Sequence, residues 1–458
     1  MCGKENNKVA KVVVIGAGSA IFAKNLLGDL ILLKDVPLEE IALVDINEEK
    51  LRIMEQVICR MVKQEGREIR VVSSTERRDV LPGADYVINA IGVGGPEIYQ
   101  RDLEIADKYG VRQVVGDIIG PGGIFRMLRA YPAMRATLED MKELCPDAYY
   151  FNYTNPMAGL CLALNQVSDI KIFGFCHSVQ GTAEQIADYL GVDYDRLTYW
   201  AAGINHMAWY LQLKVDGKDA YPQFKAAVDT MEKMHEVSER EHGYHWINDD
   251  PKMKYHFSDA VRMTIMQNFG YFNSESPYHM SEYTPYFRKN EEEIRKYRVE
   301  DRWWLAHELA NDDYYDELVK MIESGEDIPF EITHEYAPKV IRGIETGIPF
   351  RANLNVMNTG LITNMPNDCC VEVPCYCDSE GIHPCYVGPL PEGPLGLNMS
   401  NISVQKLQAK AANEKKLEWI YQSIQLDPFT AAQCTLEQIR AMTKELIENN
   451  RDYLTDFT

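Results

Sequence analysis

The stretch VVVIGAGSAIFAKNLLGDL, Val12 to Leu30, decides the fold. Its apolar opening shows no polar alternation, as expected of a parallel strand buried on both faces. Gly16 and Gly18 then form a G-x-G turn, followed by Ser19 and a helical stretch from about Ile21 to Leu33. At such a junction the first glycine permits a tight turn. The second lets the backbone approach a pyrophosphate resting on the amides of the helix N-terminus. Ile21 stands where the usual third glycine would fall, so the neighbouring segments have to carry part of the reading.

They do. Asp45 ends the next strand, EIALVDI. An acid there accepts the adenosine ribose hydroxyls and disfavours a 2′-phosphate, which points to NAD rather than NADP. The other role open to Asp45 is to cap the following helix. A further strand, ADYVINAIGVGG, ends in small residues suited to passing beneath the cofactor. A helix from about Glu48 to Glu65 and the strands IRVVSST, AYYFNYTNP and KIFGFC continue the alternation to about residue 193. The pattern predicts an α/β chain with a Rossmann-like doubly wound domain over residues 1–200. Beyond it the rhythm changes to strand-like groups and charged helices, which predicts a C-terminal α+β domain over residues 201–458.

A chain of 458 residues is long enough for two cores. With 47 Lys and Arg against 69 Asp and Glu its net charge is −22, which argues against nucleic acid or an anionic membrane as a partner. No apolar run of about eighteen residues is present to span a bilayer, and the polar MCGKENNKV start lacks a signal-peptide core. Eleven scattered cysteines do not form a secreted disulfide framework, so a reducing cytoplasm is the expected location. The cluster Cys369, Cys370, Cys375, Cys377 and Cys385 lacks the paired spacing of a zinc knuckle and reads as strand packing.

Two other segments carry chemistry. IFGFCHSVQGT, Ile172 to Thr182, sets Cys176 beside His177, and AAGINHMAWY, Ala201 to Tyr210, holds His206 in apolar surroundings. Cys176 and His206 are either a metal pair or a small core thiol and a satisfied buried imidazole.

Taken with IGAGSAIFAKNLLGD, GDIIGPGGIFRMLRA, NYTNPMA, GFCHSVQGTAE, AGINHMAWYL and SEYTPYF, the chain resembles glycoside hydrolase family 4, and within it the α-galactosidase branch. The likeness continues through CCVEVPC and LDPFTAA near the end. It implies a lactate/malate-dehydrogenase-like fold, NAD⁺, a divalent metal (usually Mn²⁺), and a dimer or tetramer. The implied chemistry is an exception to the two-carboxylate glycosidase scheme. The sugar is oxidised at C3, a base removes the acidified C2 proton, and the anomeric group leaves. Water then adds and C3 is reduced again, with no net redox.

The resemblance assigns Cys176 and His206 as metal ligands, a donor pair suited to a borderline cation. His177 becomes the acid for the leaving group, where the phospho-glycosidase branch carries an aspartate. The C2 base falls to Asp259, with Tyr271 second. Asp259 could instead cap a helix, and Tyr271 could be core. Asn155 is the expected substrate-binding asparagine, with Asn152 the weaker alternative. Asp117 would bind substrate or order a metal-bound water, and Arg288 would contact the sugar. Close variants are an α-glucuronidase or α-galacturonidase. More distant ones are a net hydroxy-acid dehydrogenase and an NAD-binding redox sensor, neither of which gives the Cys176–His206 pairing a role.

Overall fold

The computed structural model describes residues 9–239, 258–300, 302 and 312–458. The Trp-rich segment that could serve an interface or a local core, residues 300–318, lies largely outside them. Among the described residues twelve strands form one sheet: β1 (Ala10–Ile15), β2 (Leu38–Val44), β3 (Arg70–Ser74), β4 (Tyr86–Asn89), β5 (Tyr149–Asn152), β6 (Lys171–Phe175), β7 (Leu197–Ile204), β8 (Met207–Val215), β9 (Lys218–Asp219), β10 (Phe350–Met357), β11 (Cys370–Asp378) and β12 (Gly381–Pro384). Their order is β3-β2-β1-β4-β5-β6-β10-β11-β7-β8-β9, with β12 beside β11. The first six are parallel. The chain therefore winds outward from β1 in both directions and leaves a crevice at the C-terminal ends of the strands, the usual ligand position in such sheets.

Alternation along β1 explains why both faces are covered. Val12 and Val14 enter one core with Leu26 and Leu27 of α1 (Ala20–Leu32), Met54 of α2 (Glu48–Gln64) and Ile186 of α6 (Ser178–Leu190). Val13 and Ile15 enter the opposite core with Ala106 of α3 (Gly95–Asp107), Phe125 of α4 (Gly120–Leu144) and Leu160 of α5 (Met157–Asn165). A strand flanked by helices on both faces has no polar side, which is why VVVI reads as an unbroken apolar run.

One buried acid ties α1 to the C-terminal half. Asp29 accepts hydrogen bonds from the Thr333 backbone N–H at 2.8 Å and hydroxyl at 2.7 Å. Burial pushes its carboxyl up to about 6 against the pull of those bonds and of Lys339. A carboxyl raised on folding contributes stability that is present below its unfolded pKa and is lost as pH climbs through about 6. Urea unfolding should therefore show up to about 3 kcal/mol of this loss between roughly pH 4 and 6. Asp29→Asn should flatten that slope, and an unchanged slope would remove Asp29 as its source.

The second half is built onto the same sheet. β10 runs antiparallel to β6, placing Leu354 opposite Phe175 and Asn355 opposite Gly174. β11 follows antiparallel to β10, and the β7–β8 hairpin joins where Glu372 meets Gly203. The cysteines of β11 alternate between the two cores, Cys375 and Cys377 on one face and Cys370 on the other, in keeping with packing. Among the described residues no helix is long and apolar enough to cross a membrane.

Candidate active site

Gly16 turns the chain off β1 at φ 89°, and a β-carbon there would stand 2.6 Å from the Ala90 carbonyl oxygen. Only glycine fits such a turn and approach. Gly18 donates its N–H to Asp45 at 2.7 Å, and a β-carbon on it would meet the same carboxylate. Asp45 also accepts from the Asn47 N–H at 2.9 Å. The cap of α2 is Asn47, whose side chain accepts from the Lys50 N–H at 3.0 Å, so Asp45 is free of that duty. Ser19 begins α1 without a side-chain cap, and the first turn carries no acid. That helix end keeps its amides and dipole available to an anion. The Tyr315 hydroxyl donates to the Gly18 carbonyl and closes the outer side of the loop.

Cys176 follows β6 directly, and His206 sits in the two-residue turn between β7 and β8. The Cys176 Sγ and His206 Nε2 atoms are 3.3 Å apart and both side chains are buried. Burial, then the nearby His279 charge, pushes the His206 imidazole down to about 4, which leaves it neutral. Burial, Glu372 and Glu275 together push the Cys176 thiol well up, so a nearby cation is needed to draw off its proton. Tyr283 Oη lies 3.3 Å from His206 Nδ1.

The start of β8 pairs with Asn273 and Ser274, which delivers Glu275 beside His206. His206 and Glu275 both adopt left-handed backbones, at φ 60° and 76°, a conformation that costs a residue with a side chain and that clusters at functional sites. His206, Glu275 and His279 each offer a donor atom, all within 4.8 Å of one another. His279 is already committed. Its Nδ1 pairs with Glu275, and its Nε2 lies 3.2 Å from Asp117 Oδ1. Burial opposes its charge, but those carboxylates outweigh it and raise the pKa well above the usual range. Both of its ring nitrogens are thus engaged by carboxylates. It is a clamp, and Asp117 passes the contact to Asn155, whose Nδ2 donates to Asp117 Oδ2 at 2.9 Å.

The other expected residues divide. His177, half-buried, faces Glu335 through Nδ1 at 3.2 Å; burial disfavours its charge, yet Glu335 overcomes this and raises its pKa. Asn152 is spent on Thr154 and Asn89. Asp259 starts the helix Ala260–Phe269, but its carboxylate is engaged by Arg262 Nε at 2.6 Å and by the Tyr189 hydroxyl at 2.8 Å. Arg262 in turn donates to the Glu275 carbonyl oxygen. Tyr271 packs edge-on against Tyr221. Arg288 is 3% exposed, donates to the carbonyls of Arg112 and Val299, and lies over Phe429, so its guanidinium is committed to buried partners. Glu275, His279 and Tyr283 were missed. Their signal was an acid and a histidine four apart in the tyrosine-rich SESPYHMSEY segment.

The parallel sheet, the glycine turn and the thiol–imidazole pair together define an enzyme on a dinucleotide-binding scaffold. Residues 11–192 match the family 4 glycosyl hydrolase model and residues 201–430 match the family 4 glycosyl hydrolase C-terminal domain. The chain belongs to family 4 of the glycosyl hydrolases. It is 39% identical to an α-galactosidase of Bacillus subtilis (strain 168), over 98% of this chain and 99% of that protein. It is 31% identical to an α-galactosidase of Rhizobium meliloti (strain 1021), over 98% of this chain and 89% of that protein. A solved 6-phospho-α-glucosidase from gut microorganisms, in complex with NAD and Mn²⁺, shares the fold at a TM-score of 0.81 and 20% identity, over 98% of this chain and 100% of that one. Malate dehydrogenase from Plasmodium falciparum shares it at 0.52 and 14% identity, over 89% and 99%.

Proposed function

We propose that this chain is an NAD- and divalent-metal-dependent glycosidase acting on α-galactosides. One observation carries the reading: Cys176 Sγ and His206 Nε2 face each other at 3.3 Å beside the Asn155–Asp117–His279 chain. Two donors bonded to one cation at about 2.0–2.3 Å stand roughly 3–3.6 Å apart, so the pair fits a bridging cation. Thiolate and neutral imidazole suit Mn²⁺ or another borderline ion. The Gly16 turn, the uncapped start of α1 and the Asp45 carboxylate suit NAD, with Asp45 meeting the ribose hydroxyls. Because Gly16 follows β1, Asn155 follows β5 and Cys176 follows β6, all three face the same edge of the sheet.

When bound, the dinucleotide supplies a hydride acceptor for C3 and the cation a Lewis acid for the charge developing at C2 and C3. Asn155 and Asp117 orient sugar hydroxyls, with His279 fixing the Asp117 carboxylate. His177 holds a proton on its ring for the leaving oxygen, and Glu335 sustains it. Asp259 is read as the anchor of Arg262, and through it of the Glu275 backbone, rather than as the base. Glu275, which stands at His206 and is paired with His279, is the side chain whose oxygen can take the C2 proton, with the Tyr283 hydroxyl beside His206 Nδ1.

The sugar preference follows the two α-galactosidase relatives. Dialysed protein given NAD⁺, Mn²⁺ and a thiol reductant, singly and together, should release p-nitrophenol from the α-galactoside only with both cofactors. It should do so faster than from the α-glucoside or α-galacturonide. A faster uronide reaction would overturn the substrate, and NADH accumulating in step with product would make the chain a dehydrogenase.

A further inference from the structure

Behind the Cys176–His206 pair lies a buried carboxylate that the chemistry above does not use. Glu372 stands in the middle of β11, directly opposite Asn355 of β10 and paired with Gly203 of β7. It is fully buried. Burial pushes its carboxyl up to about 8, against the pull of the Asn205 side chain and the His206 backbone N–H that it faces, and it is the foremost charge acting on the Cys176 thiol. Neither of its oxygens meets a partner in regular hydrogen-bond geometry among the described residues, and neither do the amide atoms of Asn205 and Asn355. A carboxylate so deeply buried is costly without a positive charge to answer it.

The charges of the proposed site supply that answer. A dication held by the Cys176 thiolate and the neutral His206 imidazole keeps a net positive charge in a dry interior, and the nearby acids Glu275 and Asp117 are already paired with His279. Glu372, which faces the His206 backbone and is the foremost charge on the Cys176 thiol, is the buried acid placed to balance that charge. It also lies under the Asn205–His206 turn, whose second residue is held at φ 60°. We propose that Glu372 is a positioning residue for the metal site, fixing the His206 turn and balancing the cation's charge, an inference that rests on the metal reading above.

The test uses full-length protein stripped by a chelator, with Mn²⁺ binding measured by calorimetry at one pH. Glu372→Gln keeps the shape and one carbonyl oxygen but removes the charge. Its Mn²⁺ Kd is expected to rise 10- to 100-fold, roughly the range for losing a partner behind a metal ligand. The metal-free variant should melt no lower than the metal-free wild type at neutral pH, because burial already keeps the carboxyl largely protonated there and a neutral amide of the same shape replaces it. Adding Asn355→Asp to Glu372→Gln moves the charge to the directly opposite strand position and should restore most of the affinity. Wild-type protein that binds no Mn²⁺ overturns both the metal reading and this inference. Wild type that binds while Glu372→Gln binds equally well overturns this inference alone. So does a metal-free variant that melts lower, since Glu372 would then be a structural residue.

Discussion

Cys176→Ser should lower turnover of an α-galactoside by on the order of 10³-fold, the upper end for loss of one preorganised electrostatic contact. The substitution changes little volume, so the fold should survive. Serine cannot ionise beside a cation at neutral pH as a thiol can, and it offers a harder, neutral donor in place of a thiolate. His206 would remain as the other ligand, neutral because burial holds its pKa near about 4, and one imidazole holds Mn²⁺ weakly. Turnover and Mn²⁺ affinity should therefore fall together, with NAD⁺ affinity nearly unchanged. Saturating Mn²⁺ should recover only part of the loss. A serine variant with wild-type, metal-dependent turnover would remove Cys176 from the metal site.

The second large effect concerns stability. Asp259→Asn should cost about 3–5 kcal/mol, the range for breaking a buried ion pair from one side. Arg262 is fully buried and spans the region, with Nε on Asp259, Nη2 on Gln185 at 2.7 Å and Nη1 on Thr182 at 3.1 Å. Without the Asp259 carboxylate it loses the acid that both its Nε and its Nη2 engage. Asp259→Asn combined with Arg262→Met removes both charges, and urea unfolding should show a large part of the loss restored. Activity should fall in both variants, because Glu275 loses the hold on its backbone carbonyl. If Asp259 were the C2 base instead, Asp259→Asn would abolish turnover with an almost unchanged unfolding midpoint. That pairing of results would reinstate it.

What could be read in advance follows from how far apart in the chain the partners lie. Gly16, Gly18 and Asp45 belong to one local unit, so their spacing carried both the doubly wound reading and the expected cofactor loop. The segments VVVI, IALV and YVIN had to be strands because helices cover both of their faces. Cys176 and His206 flank short connections at strand ends, and motif likeness was enough to bring them together. The antiparallel join of β6 to β10 was not legible, because some 180 residues separate Gly174 from Asn355. Asp117 and His279 were equally out of reach of each other, being 162 positions apart. The buried partners of Arg288 and Asp259 were out of reach for a related reason. A charged residue next to a motif suggests a ligand, whereas both are committed to buried partners that only the tertiary fold supplies. Deeply buried charges leave no periodic trace in a sequence.

The most direct test of a C2-deprotonating mechanism is turnover in D₂O with NAD⁺ and Mn²⁺ present, followed by NMR of the released galactose. The proton removed from C2 exchanges with solvent before the ring is restored, so deuterium should appear at C2 in proportion to turnover, with C3 keeping its own hydrogen. Galactose carrying hydrogen at C2 after many turnovers would mean direct displacement at the anomeric carbon. The roles proposed for the cofactor loop and the Cys176–His206 pair would then be wrong.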